Sequence, residues 1–166
     1  MAFRHLVGHR NVKKHAGVYF WAASLLKWKG LETLIKASKR AAISQSVVLN
    51  VCYIRPVDTC LPISNAPVLL SHTIWYEDPE NLDDIRSQSN IFVSTSCNEP
   101  FGLSILEALA AGMCVVIPSD GAYWDKTLTH NENCIKYQPE TLILCVMPCS
   151  TPVTTNKHFI VAASVR

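Results

Sequence analysis

The stretch Ile91 to Pro118, IFVSTSCNEPFGLSILEALAAGMCVVIP, constrains this chain more than any other. Two short apolar segments, Ile91–Ser94 and Val115–Ile117, flank a loop and a helix-forming run, Gly102–Ala111, with Gly112 placed to end the helix. A single helix between two strands returns the chain to the same end of a sheet, so the two strands run parallel. The pattern recurs. Val18–Ala23 predicts a buried strand, Gly30–Ala42 (GLETLIKASKRAA) a helix, and Val47–Tyr53 a second strand. Three prolines mark residues 55–67 as loop, and Val68–Trp75 predicts a third strand. Glu80–Gln88 predicts a short helix, with Asp78 as its N-cap and Pro79 in its first turn. Ala122–Leu128 predicts a further helix and Ile135–Tyr137 a last strand. Continuous apolar strands alternating with helices imply an α/β fold, a Rossmann-like parallel sheet covered on both faces.

The 166 residues are expected to form one domain with a real core, because 49% are hydrophobic and 17% charged. No apolar run approaches the about 20 residues of a membrane-spanning helix, and the N-terminus lacks the apolar core of a secretory signal. Seven cysteines without a Cys-x-x-Cys pair fit a reducing, cytoplasmic setting. Cys52, Cys97 and Cys114 lie in or beside apolar strands and are expected to act as small hydrophobes. Cys145 and Cys149 have the spacing of half a zinc site, but no second ligand pair follows, so no metal is expected. The six histidines are dispersed.

Charge is polarised. Residues 1–40 hold nine Lys/Arg against Glu32 alone, a net +8, while the remainder carries −6. The basic residues are not interleaved with aromatics as in a base-stacking platform, so no nucleic-acid partner is expected. Residues 1–16 are read as a basic linker remnant, 17–140 as the folded domain and 141–166 as an apolar tail without helical period.

In a parallel sheet of this kind a ligand sits beyond the C-terminal strand ends, so the loops after Ala23, Tyr53, Ser94 and Pro118 are where function is sought. The third contains Glu99-Pro100-Phe101-Gly102-Leu103-Ser104 and opens a helix whose first amides lack intrahelical partners, an anion site suited to a diphosphate. On a helical wheel Leu103, Leu106 and Ala110 form a buried stripe, extended by Ile105 and Leu109. Glu107 falls about 40° from Leu103, beside that stripe. A carboxylate there wants donors; the two hydroxyls of a ribose would suit, and so would a neighbouring loop.

FVSTSCNEPFGLSILEALAAGMCVVIPSDG resembles the signature of retaining glycosyltransferases with the GT-B fold, family 4 (glycosyl transferases group 1). Glu99, Phe101, Gly102, Leu103, Glu107, Ala108, Ala110, Gly112, Val116 and Ile117 match its Glu-x7-Glu pattern, with Cys114 in place of the usual proline. LLKWKGLETLIKA resembles an upstream family segment through Leu25, Lys29, Gly30, Leu34, Ile35 and Ala37, and NENCIKYQPE a downstream one. The resemblance covers roughly residues 17–140 and is to the C-terminal, nucleotide-sugar-binding domain.

What the resemblance implies is specific. Glu99 would contact the donor sugar and Lys29 would neutralise the diphosphate and assist its departure. Phe101, Gly102, Leu103 and Ser104 would present backbone to sugar and diphosphate, and Glu107 would hold the ribose. No metal or other cofactor would be required. Partners would be a nucleoside-diphosphate sugar, a glycan or lipid-linked glycan acceptor, and an N-terminal GT-B domain. The setting would be cytoplasmic, at the inner face of a membrane in a peripheral association, in polysaccharide or glycolipid biosynthesis. The sequence departs from the pattern where the family carries an arginine five residues before the lysine: here stands Ser24, with Lys27 nearby. The glycine-rich turn after the second strand is replaced by Cys52–Pro56, where Arg55 offers a compensating charge, and Asp120 and Gly121 fall where the family places a donor loop. The competing expectation is a Rossmann-like binding module that kept the fold without the chemistry.

Overall fold

The computed structural model describes residues 17–41 and 48–139. The expectations for residues 1–16 and 141–166, including Cys145 and Cys149, lie outside the described residues. Among the described residues six strands form one sheet: β1 (Val18–Ser24), β2 (Val48–Ile54), β3 (Thr73–Glu77), β4 (Ile91–Val93), β5 (Cys114–Pro118) and β6 (Ile135–Tyr137). Their order is β3-β2-β1-β4-β5-β6, and every pairing is parallel. Four α-helices accompany them: α1 (Leu31–Ala41), α2 (Leu82–Ser87), α3 (Leu103–Ala110) and α4 (Tyr123–Thr127). After β3 the chain crosses back past β2 and β1 to lay down β4 beside β1. The strand order reverses at that point, and a crevice opens between the diverging loops.

Alternation along β1 shows why its sequence reads as one apolar run. Tyr19 and Trp21 face one side with Leu31, Leu34 and Ala37 of α1, whereas Phe20 faces the other with Ile85 of α2, Ile105 and Ala108 of α3 and Trp124 of α4. Each leucine buried from α1 contributes about 1.5–3 kcal/mol of apolar transfer.

Two regions differ from the sequence expectation. The third strand is Thr73–Glu77, not Val68–Trp75. Residues 55–72 cross from β2 to β3 as coil, because Pro56, Pro62 and Pro67 remove backbone donors and His72 takes a left-handed φ of 56° just before the strand. This coil still completes the core through Ala66 and Leu70. It also braces the end of β1: Ser64 N–H donates to the Leu25 carbonyl at 2.7 Å, and Lys27 N–H to that of Pro62 at 2.8 Å. The second difference is at α2, where Asn81 precedes the helix and no side chain caps it. Asp78 instead sits at φ 44°, its N–H bonded to the Tyr53 carbonyl at 2.8 Å.

The joint between β1, α1 and the end of β4 is tight. Gly30 has φ +77°, and a Cβ added there would lie 2.3 Å from the Thr95 carbonyl oxygen. Gly30→Ala is therefore expected to destabilise the fold by about 2–4 kcal/mol, combining left-handed strain with a backbone collision. Circular-dichroism melting should show a fall of several degrees in Tm.

At the far edge, Lys136 of β6 pairs with Asp125 of α4 at 2.8 Å. The lysine hydrogen bond is the main reason the Asp125 carboxyl titrates below its ordinary 3.8, helped by the Gly121 amide and Ser119 against some desolvation. A carboxyl depressed by folding stabilises above its unfolded pKa and loses that contribution as pH falls through the folded one. Asp125→Asn should lower Tm at neutral pH, and the gap to the native chain should close below about pH 4.

Candidate donor-binding cleft

The C-terminal ends of β1, β2 and β4 and the start of α3 enclose a cleft of about 690 Å³ at the point of strand-order reversal. Its floor is polar: Ser94, Thr95 and Ser96 are all buried and line it. Lys29 and Glu99 project into it and meet at 2.5 Å, although 70 residues separate them in sequence. Both side chains are largely shielded, at 19% and 14% exposure. The ammonium also lies 4.0 Å from the centre of the Trp28 ring.

Thr95 fixes Lys29. The buried Trp21 indole donates its N–H to the Thr95 hydroxyl at 2.9 Å, and that hydroxyl donates to the Lys29 carbonyl at 2.7 Å. A buried indole requires such a partner. Gly30 permits it, since any side chain there would collide with the Thr95 backbone.

The loop carrying Glu99 is held from the other side. Trp124 Nε1 donates to the Phe101 carbonyl, and the Phe101 ring packs on Tyr123 at 5.1 Å and Trp124 at 5.6 Å. Gly102 then turns at φ 70°, where a Cβ would press on the Glu99 side chain at 2.9 Å. As the N-cap of α3 it offers no side chain to bond the first amides, and no acid occupies the first turn. These amides and the positive end of the helix dipole border the cleft.

Of the sequence candidates, Ser24, Lys29, Glu99, Phe101, Gly102, Leu103, Ser104 and Glu107 all line this cleft. Arg55, Asp120 and Gly121 do not. Arg55 is ion-paired to Glu77 at 2.5 Å and donates to the Ala66 carbonyl at 2.6 Å; the same pair holds the Glu77 carboxyl below the usual range. Asp120 accepts from the amides of Asn98 at 2.5 Å and Ala122 at 2.9 Å, tying the Glu99 loop to α4. Gly121 donates its amide to Asp125 at 2.8 Å.

Two expectations are corrected. The buried face of α3 is Ile105 and Ala108, while Leu103 is 64% exposed and Ala110 is exposed. The helix is rotated so that its first turn opens onto the cleft rather than the core. Cys97 is exposed and not a core hydrophobe, whereas Cys52 is buried, with its thiol pushed by desolvation up to about 12.

Sequence reasoning missed Thr95, Asp78 and Arg86. Asp78 lines the cleft beside Pro79. Arg86 lies behind its wall and reaches Glu107 Oε2 at 2.6 Å. Only tertiary contact identifies them. Lys29 is the sole cation among the described lining residues, against Asp78, Glu99 and Glu107. Among the described residues no group of three His, Cys, Asp or Glu is placed to hold a metal, and no helix is long and apolar enough to cross a membrane.

Comparison with known proteins agrees with this geometry. Residues 67–141 match the family described as glycosyl transferases group 1. No curated protein matches the chain. Among solved structures, the C-terminal domain of the glycosyl transferase group 1 family protein LpcC from Francisella tularensis superposes with a TM-score of 0.59. It shares 18% identity, with 78% of this chain and 71% of that one covered. HepE from Anabaena, in complex with UDP and glucose, gives a TM-score of 0.61 at 16% identity, covering 84% of this chain and 40% of that one. The pneumococcal O-GlcNAc transferase GtfA, in complex with UDP and GlcNAc, gives 0.56 at 16% identity, covering 78% and 28%. The chain thus spans less than half the length of the last two. Residues 67–141 carry the group 1 glycosyltransferase sequence pattern, and the described chain has the Rossmann-like fold of a GT-B glycosyltransferase C-terminal domain.

Proposed function

We propose that this chain is the donor-binding half of a retaining glycosyltransferase that moves a sugar from a nucleoside diphosphate to an acceptor hydroxyl. The observation that carries this reading is the meeting of Lys29 with Glu99 at 2.5 Å, in a cleft bordered by the uncapped N-terminus of α3. The pairing has a chemical logic. A diphosphate entering the cleft competes for the ammonium and takes Lys29 from Glu99. The released carboxylate then accepts hydrogen bonds from sugar hydroxyls, the donors it lacks once the lysine has turned away. Phe101, Gly102, Leu103 and Ser104 present backbone to the sugar and diphosphate, and Glu107 accepts from the ribose.

In the transfer itself the bond between the anomeric carbon and the diphosphate oxygen breaks, and a bond to the acceptor oxygen forms on the same face. The acceptor's proton leaves with the departing phosphate. Negative charge accumulates on that phosphate, where Lys29 and the α3 amides are already oriented and need no reorganisation. No metal is required for this charge stabilisation in the proposed scheme. The acceptor is a glycan or lipid-linked glycan of polysaccharide or glycolipid biosynthesis, presented by an N-terminal GT-B domain at the cytoplasmic face of a membrane. In this reading transfer requires that N-terminal domain as well as the cleft described here.

A second reading, a binding module without transfer, draws support from Ser24. It lines the cleft where the resembled family carries arginine, leaving Lys29 as the only lining cation.

Calorimetric titration with UDP, GDP and ADP decides whether the cleft binds a nucleoside diphosphate; no binding of any of them at millimolar concentration marks a degenerate site and defeats the donor-binding reading. Lys29→Ala should weaken the preferred diphosphate by about tenfold or more, the worth of a charge-assisted hydrogen bond.

Glu99→Gln should leave diphosphate affinity unchanged or raise it, because a competitor for Lys29 is gone. The same substitution should abolish sugar transfer once the chain is joined to an N-terminal domain. Retained transfer by Glu99→Gln refutes the sugar-binding role, and turnover by the isolated chain refutes its inactivity. Diphosphate binding with no transfer in the joined native protein favours the binding module.

A further inference from the structure

Outside the cleft lining, Arg86 is a buried charge held by two acids. Its side chain is 9% exposed, set on α2 beneath the sheet with its guanidinium 5.8 Å from the centre of the Phe20 ring. One terminal nitrogen donates to Asp83 and the other to Glu107 Oε2 at 2.6 Å. The Nε–H is buried without a partner, the only such side-chain atom among the described residues.

Stability alone does not explain this arrangement. A buried guanidinium carries a large desolvation cost, and an orphaned buried donor adds to it. An apolar side chain of similar length would fill the same space at no such cost. Both of its acids are accessible to water, with Asp83 91% and Glu107 48% exposed. Neither depends on Arg86 to escape burial.

The geometric consequence of the pair falls on Glu107. Long carboxylate side chains on a helix surface sample several rotamers, and ordering one costs entropy at the moment of binding. The Arg86 contact settles that orientation beforehand. It engages Oε2 and leaves Oε1 with no hydrogen bond among the described residues, on a side chain that lines the cleft.

We propose that Arg86 is a positioning residue that holds Glu107 ready to accept the vicinal hydroxyls of the donor's ribose. This rests on the reading of the cleft as a nucleoside-diphosphate site and adds to it the source of its preference for ribose. Arg86 does not touch the ligand. Its effect is on the carboxylate that does.

The experiment compares ribonucleoside diphosphates with their 2′,3′-dideoxy counterparts by calorimetry, on the full chain. The native protein should prefer the ribo form of its best nucleotide by about tenfold or more, the worth of one or two hydrogen bonds to a carboxylate. Arg86→Met, close in length and unable to pair, should lose most of that preference while binding the dideoxy form as the native protein does. Its Tm should be unchanged or higher, since both acids remain solvated. Arg86→Lys, which keeps the charge and loses the fork, should restore the preference only in part. Glu107→Gln supplies the reference for a cleft without the carboxylate.

Three outcomes are decisive. Equal loss of affinity for ribo and dideoxy forms in Arg86→Met reduces Arg86 to a structural residue. Full retention of the ribo preference removes it from the site altogether. A native protein that binds nucleoside diphosphates without distinguishing the two forms refutes the ribose role of Glu107 and leaves the diphosphate site standing, whereas absence of all binding refutes that site itself.

Discussion

The approach of Gly30 to the Thr95 carbonyl is the contact on which the rest of the cleft depends. β1 and β4 diverge at their C-terminal ends, and the chain must bridge from β1 into α1 without filling the crevice between them. It does so by passing backbone directly over backbone, with no room for a Cβ. Thr95 then serves both sides. It satisfies the buried Trp21 indole and grips the Lys29 carbonyl. Lys29 is thereby set on a short 3-10 turn, Lys27–Lys29, held against the sheet. The coil 55–72 adds a second restraint through its bonds to Leu25 and Lys27. It takes over part of the work that a crossover helix does in a regular Rossmann-like unit.

Charge in the cleft is sparse and committed. One lysine faces three acids, and it is already engaged with Glu99. In the proposed scheme anion binding rests on exchange of partners and on the amides of α3, not on a surplus of positive charge. An anion drawn to that lysine must outcompete a short, shielded ion pair. Arg86 supplies the matching restraint on the far wall, where it holds Glu107 without itself lining the cleft.

The order of strands and helices was legible because β2, β4 and β5 are apolar runs buried on both faces and α3 carries a terminator. Gly112, for example, takes the left-handed φ of 72° expected after α3. Glu99, Gly102 and Glu107 were legible too, since a loop between strand and helix fixes which end of the sheet they reach. Where the reading failed, a competing contact had taken over. Leu103 belongs to an apolar stripe in projection, yet the first turn of α3 stands over the cleft, where nothing covers it. Asp78 has the composition of a cap, yet its amide is drawn to Tyr53 and its backbone turns left-handed. Arg55 was a fitting replacement cation by position, but Glu77 at the end of the neighbouring strand β3 takes it as an ion-pair partner.

Local pattern alone determined the parallel α/β architecture, the strand–loop–helix unit around Glu99 and the end of the sheet where a ligand would be held. These follow from periodicity and turn chemistry, which act over a few residues. Tertiary structure decided which side chains share the cleft. The distance between Lys29 and Glu99, the locking of Lys29 by Trp21 and Thr95, and the burial of Arg86 behind Glu107 join residues up to 74 positions apart. Nothing in the spacing of the chain encodes such pairings. They arise because packing the two faces of one sheet leaves only certain atoms within hydrogen-bonding distance, and buried polar groups must then find each other there.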